Sequence, residues 1–231
     1  MIMKAIGIYL VLATTHVLGL VDYTCPNTAS STAYTDFCER TLVDDMIMAP
    51  GSQNNIYAFK GDQVILRLPN ASIAWGYPKP ANALWPSIPS NIDAAFTFSV
   101  TTKTYFLKGS QFWRYTNYTL DEGFPKLISE GFVDVPDNVD AAVEWDKYIY
   151  FFKGKMNYRY DPCRNETFSI PLRDFVGLPT TRLNGVLKHP DGNVYFFIGD
   201  LYFTFSLTYM KVYPVTYPLQ LGWNWFNCRW Q

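Results

Sequence analysis

The chain has 231 residues and a net charge of −1, with 17 % charged and 18 % aromatic residues. Near-neutral charge excludes a surface built for nucleic acid or for an anionic membrane. The aromatic excess, with 15 Pro and 14 Gly scattered along the chain, predicts short strands, frequent turns and a core of rings.

In chain order, the first segment reads as a secretory signal. Lys4 precedes a short apolar run over residues 5–13, and Val17 and Gly19 supply the small residues of a cleavage site. The run is far shorter than the about 20 residues a membrane span requires, and no later stretch is long and apolar enough to anchor the chain. The expected organisation is a signal over residues 1–19, an extension over 20–37 and one domain over 38–231.

Four cysteines, Cys25, Cys38, Cys163 and Cys228, are an even number in an exported chain, so disulfides are expected. Their spacings are too wide for a zinc ribbon, and spacing alone leaves all three pairings open. Three Asn-x-Ser/Thr acceptors, at Asn70, Asn117 and Asn165, are candidate glycosylation sites on exposed loops.

The domain repeats itself four times. The second unit reads Ile92-Asp93-Ala94-Ala95, then Lys103-Thr104-Tyr105-Phe106-Leu107-Lys108-Gly109, then Phe112-Trp113-Arg114-Tyr115. The third reads Val139-Asp140-Ala141-Ala142, then Tyr150-Phe151-Phe152-Lys153-Gly154, then Tyr158-Arg159-Tyr160. The first unit is looser, aligned on Asp45 and Gly61; the fourth aligns on Asn184 and Gly199. The glycines at 61, 109, 154 and 199 are spaced by 48, 45 and 45 residues. A period in the mid-forties with several strands per unit predicts propeller blades or a similar stacked array.

Within each unit, the Asp-Ala-Ala segment is a first strand whose small side chains suit a crowded axis. The aromatic run is a second strand, Gly makes the hairpin, and the Trp-Arg-Tyr run returns as a third strand. A fourth, outer strand is expected near Pro69, Pro125 and Pro162, without a defined position. Such a ring must be closed, and a Cys38–Cys228 bridge would join the first blade to the fourth. Cys25 and Cys163 would then tie the extension to the third blade.

These units resemble hemopexin-like repeats, and the likeness covers roughly residues 38–228. The resemblance implies an all-β, four-bladed β-propeller with a closing disulfide between the same two cysteines. It also implies a narrow central channel in which main-chain carbonyls of Asp45, Asp93, Asp140 and Asn184 hold calcium or another channel ion. Calcium accepts backbone oxygens readily. The fourth unit departs from the pattern, with Asn184 for an acid and Gly185 for alanine.

For function, the resemblance points away from chemistry. No His-Glu-x-x-His and no Gly-x-Ser-x-Gly occurs, so neither a metalloproteinase zinc site nor a hydrolase elbow is present. The two histidines are His16, within the expected signal, and His189, in a turn-forming Lys-His-Pro-Asp-Gly, so bis-histidine haem ligation is not expected. The leading expectation is a secreted, non-catalytic module that binds an extracellular protein or matrix component. A carrier of haem, polyamine or a divalent ion is the alternative, and a regulator related to matrix metalloproteinase hemopexin domains is a third. Candidate contact residues are Trp223, Trp225, Phe226 and Trp230, whose expected role is packing of the last blade, and the Pro- and Trp-rich segment 74–89.

Overall fold

A computed structural model describes Cys38 and residues 42–52, 54–179, 181–213 and 218–228. The signal, the extension with Cys25, and Trp230 lie outside the described residues.

Four antiparallel sheets follow one another along the chain. The first holds β1 (Asp45–Met48), β2 (Ile56–Lys60), β3 (Gln63–Arg67) and β4 (Lys79–Pro80). The second holds β5 (Ala94–Phe98), β6 (Lys103–Lys108) and β7 (Gln111–Thr116), with β8 (Thr119–Leu120) and β9 (Lys126–Leu127) both on the outer edge of β7. The third is β10 (Ala141–Trp145), β11 (Tyr148–Lys153), β12 (Met156–Asp161) and β13 (Glu166–Pro171). The fourth is β14 (Gly185–Lys188), β15 (Asn193–Ile198) and β16 (Leu201–Ser206), edged by β17 (Lys211–Val212) and β18 (Leu219–Gln220). The inner strands close a circle: β1 meets β5, β5 meets β10, β10 meets β14, and β14 meets β1. The protein is a four-bladed propeller.

The second and third strands of each blade join through two-residue turns that start at the periodic glycines. Gly61, Gly109, Gly154 and Gly199 have φ of 66°, 63°, 58° and 62°, a region that costs glycine little and a side chain more. After each outer strand comes one buried residue: Ala81, Ile128, Leu172 or Leu221. Its N–H donates 2.8 Å to the residue behind the hairpin glycine, namely Asp62, Ser110, Lys155 and Asp200. A helical turn starts there each time; two of the four are α-helical, α1 (Ile128–Gly131) in blade two and α2 (Leu221–Phe226) in blade four. These turns deliver Trp85, Phe132, Phe175 and Trp225 into the gaps between blades.

The core is therefore four aromatic interfaces. Trp85 meets Tyr57, Phe59 and Phe106 at 4.9–5.4 Å between blades one and two. Phe132 lies 4.9 Å from Phe151 between two and three. Phe152 meets Phe196 at 5.5 Å between three and four. Trp225 lies 5.6 Å from Phe197 and carries the Arg67 guanidinium at 5.2 Å, while Arg67 donates 2.8 Å to the Trp225 carbonyl across the closure. Cys38 and Cys228 are bridged, 190 residues apart, at the same closure.

The outer strands are as short as two residues in blades one, two and four. Segment 74–89, expected as an exposed loop or rigid connection, divides: it supplies β4 and the fully buried Trp85, while Trp75 is 74 % exposed.

One buried position breaks the pattern. Val64, Phe112 and Tyr202 face the hairpin-side partners Phe59, Leu107 and Phe197, and the same position in blade three is Asn157, opposite Phe152. Asn157 is fully buried and neither amide atom has a hydrogen-bond partner among the described residues. An unsatisfied buried amide costs roughly 1–3 kcal/mol. Asn157→Val is expected to raise the unfolding free energy by about that much in urea titration; a destabilised variant contradicts the account.

Candidate binding surfaces around the propeller axis

Each blade begins with one residue that performs the same two tasks. Asp44, Asp93, Asp140 and Asn184 donate their N–H to Phe59, Leu107, Phe152 and Phe197 at 2.7–2.8 Å. Their side-chain oxygens accept the N–H of Gly61, Gly109, Gly154 and Gly199 at 2.6–2.7 Å. An acid or amide is needed here because it ties the start of the inner strand to the hairpin. Asn184 serves as well as Asp, since the bond requires only an acceptor.

This corrects the first blade. The repeat position is Asp44; Asp45, aligned there with Asp93 and Asp140, lies one residue further on. The connection between β1 and β2 runs over residues 49–55, whereas the same link in blade three is two residues, and with two adjacent acids this leaves the register of the first unit ambiguous.

Asp45 instead occupies the place of Ala94, Ala141 and Gly185, opposite Phe59 as they are opposite Leu107, Phe152 and Phe197. Its carboxylate is fully buried. It accepts the N–H of Met46 at 2.8 Å, of Ala95 at 2.7 Å and of Val186 at 3.1 Å, linking blades one, two and four. No Lys, Arg or His side chain among the described residues lies within ion-pair distance of it. Burial pushes the Asp45 carboxyl well above the usual carboxylate range, and the three N–H donors act against that. The glycine of the fourth blade is now explained: a Cβ on Gly185 would fall 2.4 Å from Asp45 Oδ1. One enlarged side chain and one deleted side chain fill the axis together.

Asp45 separates two mouths. One is a polar cavity of about 200 Å³ lined by Asp44, Asn91, Asp93, Lys108, Asp140, Arg182 and Asn184. Lys108 pairs with Asp93 and Arg182 with Asp140, each at 2.8 Å. Burial raises the Asp44 carboxyl, opposed by the Gly61 N–H. The other mouth is a mostly apolar cavity of about 270 Å³ lined by Met46, Met48, Phe96, Val143, Glu144 and His189 among others. His189, expected in a turn, lies in one and is partly covered: its ring meets Tyr195 and Trp225 edge-on, and Nδ1 lies 3.2 Å from Asp191.

Known proteins place this geometry. The Hemopexin family matches residues 50–90, 92–137 and 139–180, which is more than half of the chain. The chain belongs to the hemopexin family. The match covers three blades, and the fourth, more divergent one is supplied by the structure. Matrix metalloproteinase-19 of Mus musculus is 33 % identical over 205 residues, covering 80 % of this chain and 34 % of that protein. Vitronectin of Homo sapiens is 41 % identical over 114 residues, 46 % of this chain and 23 % of its own. The chain thus spans about a third or less of the length of these relatives. Among solved structures, the hemopexin fold protein CP4 from cow pea superposes with a TM-score of 0.65 over 80 % of this chain and 95 % of that one, at 17 % identity.

On the hemopexin ring the aromatic candidates sort by burial. Trp225 and Phe226 are core, as expected for packing of the last blade, whereas Trp223 is 55 % exposed. A further exposed apolar group on blades three and four, Val176, Tyr209, Met210 and Tyr213, has no signature in the repeat pattern. Met210 lines a cavity of about 210 Å³ with Trp145, Tyr150, Arg159, Ile170 and Phe175. Cys163 is exposed and has no disulfide partner among the described residues.

The axial fit yields a double-mutant test. Gly185→Ala alone is expected to lose roughly 1–3 kcal/mol by overpacking against Asp45. Asp45→Ala alone leaves three buried N–H groups unpaired, at about 1–3 kcal/mol each before relaxation. In the Asp45→Ala background, Gly185→Ala becomes neutral or stabilising. Additive losses in urea unfolding would show that the two residues do not share one space.

Proposed function

We propose that this chain is a secreted, non-catalytic recognition module that binds an extracellular protein or matrix component through its rim. The observation that carries the reading is the contrast between axis and rim. Acidic groups along the axis are engaged by glycine N–H groups, by Lys108 and by Arg182, which leaves them poorly placed for acid–base work. The rim instead exposes large apolar residues at Trp75, Trp223, Tyr209, Met210 and Tyr213. Exposed Tyr and Trp beside a cavity are the residue types that anchor protein interfaces. The kinship with vitronectin and matrix metalloproteinases supports an extracellular partner.

Purified chain is expected to bind immobilised, solubilised extracellular-matrix protein. Tyr209→Ser with Met210→Ser should weaken that binding at least about tenfold, about 1.4 kcal/mol, at an unchanged melting temperature. Unaltered binding removes the assignment to this rim. Haemin titrated into the same protein separates the carrier reading: a Soret shift that depends on His189 would favour it over recognition.

A cation on the axis is the second reading, carried by Asp45. A buried carboxylate without a side-chain counter-charge among the described residues fits a hard cation, and main-chain carbonyls of Asp44, Asp93, Asp140 and Asn184 would hold it. Side chains alone do not form such a site among the described residues. The ion would supply positive charge to the axis and join the blades. Calcium at about 100 times its dissociation constant should add about 2.7 kcal/mol of stability. A melting temperature indifferent to both calcium and chelator refutes this.

A further inference from the structure

The three glycosylation acceptors occupy one structural position. Asn70 follows β3, in a turn closed by the Arg67–Ile73 bridge. Asn117 lies in the turn between β7 and β8, where Thr116 faces Thr119. Asn165 lies in the turn between β12 and β13, where Asp161 faces Glu166. Each is the turn from the third to the fourth strand of its blade. All three asparagines are exposed. Strands alternate in direction, so these turns share a face with the turns from first to second strand, around the apolar mouth. The hairpin glycines and the polar mouth lie on the opposite face.

Blade four breaks the series. Its equivalent turn, residues 207–210 between β16 and β17, has no acceptor and carries Tyr209 and Met210 instead, 57 % and 53 % exposed. The ring of Tyr213 packs 4.8 Å from that of Tyr209. Asn117 is exposed in its turn, and local geometry accommodates a glycan at Asn70 and Asn165. Asn70 Oδ1 accepts from Ser72 Oγ at 2.6 Å and from Ser72 N–H at 3.1 Å, leaving Nδ2 as the free end of the amide. Asn165 Oδ1 accepts from Tyr160, a residue of the interface with blade two, which draws that attachment point away from blade four.

We propose that Asn70, Asn117 and Asn165 carry N-linked glycans that form a three-quarter collar around the apolar-mouth face, interrupted at blade four. Each attachment forms a bond between Asn Nδ2 and the anomeric carbon of an oligosaccharide. The bond from that carbon to its diphosphate-lipid carrier breaks, and the carrier and one amide proton leave. Glycans are bulky and solvating, so three of them cover the rim of blades one to three. A protein approaching this face meets blade four and its bare apolar turn. The inference rests on the secretory part of the function proposed above.

The test uses the full chain expressed in a glycosylating secretory host. Peptide mass analysis before and after enzymatic glycan removal is expected to find sugar at Asn70, Asn117 and Asn165. Amine labelling of the folded protein then reads the shielding. Lys147, in the turn between β10 and β11 on the collared face, should react at least about threefold more slowly with glycans present than after their removal. Lys211 at blade four and Lys155 on the opposite face should be unchanged. Enzymatic trimming of folded protein avoids relying on Asn→Gln variants that fail to fold. An exported chain lacking sugar at any of the three positions, or equal protection of Lys147 and Lys211, overturns the collar while leaving the recognition reading intact. Failure of the chain to be exported overturns both.

Discussion

Each sheet of this protein is apolar on both faces, and that single constraint organises the rest. A strand such as Ile56–Lys60 sends Tyr57 and Phe59 toward blade two and Ile56 and Ala58 toward blade four. No blade can be removed from water alone, so each must be covered twice. In an open stack the end blades would leave one face wet. In a ring the first and last cover one another, and the closure determines whether the whole assembly is stable. The heaviest tethering is accordingly found there: the Cys38–Cys228 bridge, the Arg67 bond to the Trp225 carbonyl, and the edge-to-face packing of Trp225 among Tyr195, Phe197 and Tyr202. A loop of 190 residues closed by a disulfide removes roughly 5 kcal/mol of denatured-state entropy in the chain-entropy account.

Closing four blades also crowds the axis. Small residues solve this at Ala94 and Ala141. Blade one solves it differently, placing a carboxylate where its neighbours have a methyl group and using it to collect N–H groups from three blades. Backbone donors that point to an axis need an acceptor once water is excluded. Asp45 supplies one from within the chain, and Gly185 gives it room. The arrangement trades side-chain symmetry for satisfied hydrogen bonds.

The repeat was legible because its punctuation is chemically narrow. A two-residue hairpin with positive φ at its first position favours glycine, and four such glycines at a regular period identify four blades. The acid or amide that opens blades two to four was legible in the repeat, and its role is chemically narrow, since only an acceptor can hold the hairpin glycine's N–H. Blade one was misaligned by one residue because Asp44 and Asp45 are adjacent and its first connection is longer. Strands of two residues, such as β4, β8 and β17, leave no periodic pattern to read. Short outer segments such as β4, β9 and β18 are fixed by bonds from the residues that follow them, Ala81, Ile128 and Leu221, to the residue behind the hairpin, which pair positions some twenty residues apart. Nor does composition distinguish Trp85 from Trp75 or Trp225 from Trp223: burial depends on which side of a short turn the ring leaves.

Fourfold repetition on its own gives a surface with four equivalent sectors, and equivalent sectors cannot direct a partner to one of them. Specificity in such a ring has to come from departures from the repeat. Blade one departs at Asp45 and blade three at Asn157, both buried, whereas blade four departs at its surface as well as at Gly185: its helix α2 has an exposed Trp223, and its outer turn bears Tyr209 and Met210 where the other blades have asparagine acceptors. It is also the blade beyond the reach of the family match, which ends at residue 180. Residues that hold the ring together must keep the repeat, because each meets a neighbour built to the same pattern. Residues at the exposed outer turns are free of that requirement, and on blade four they diverge toward large apolar side chains.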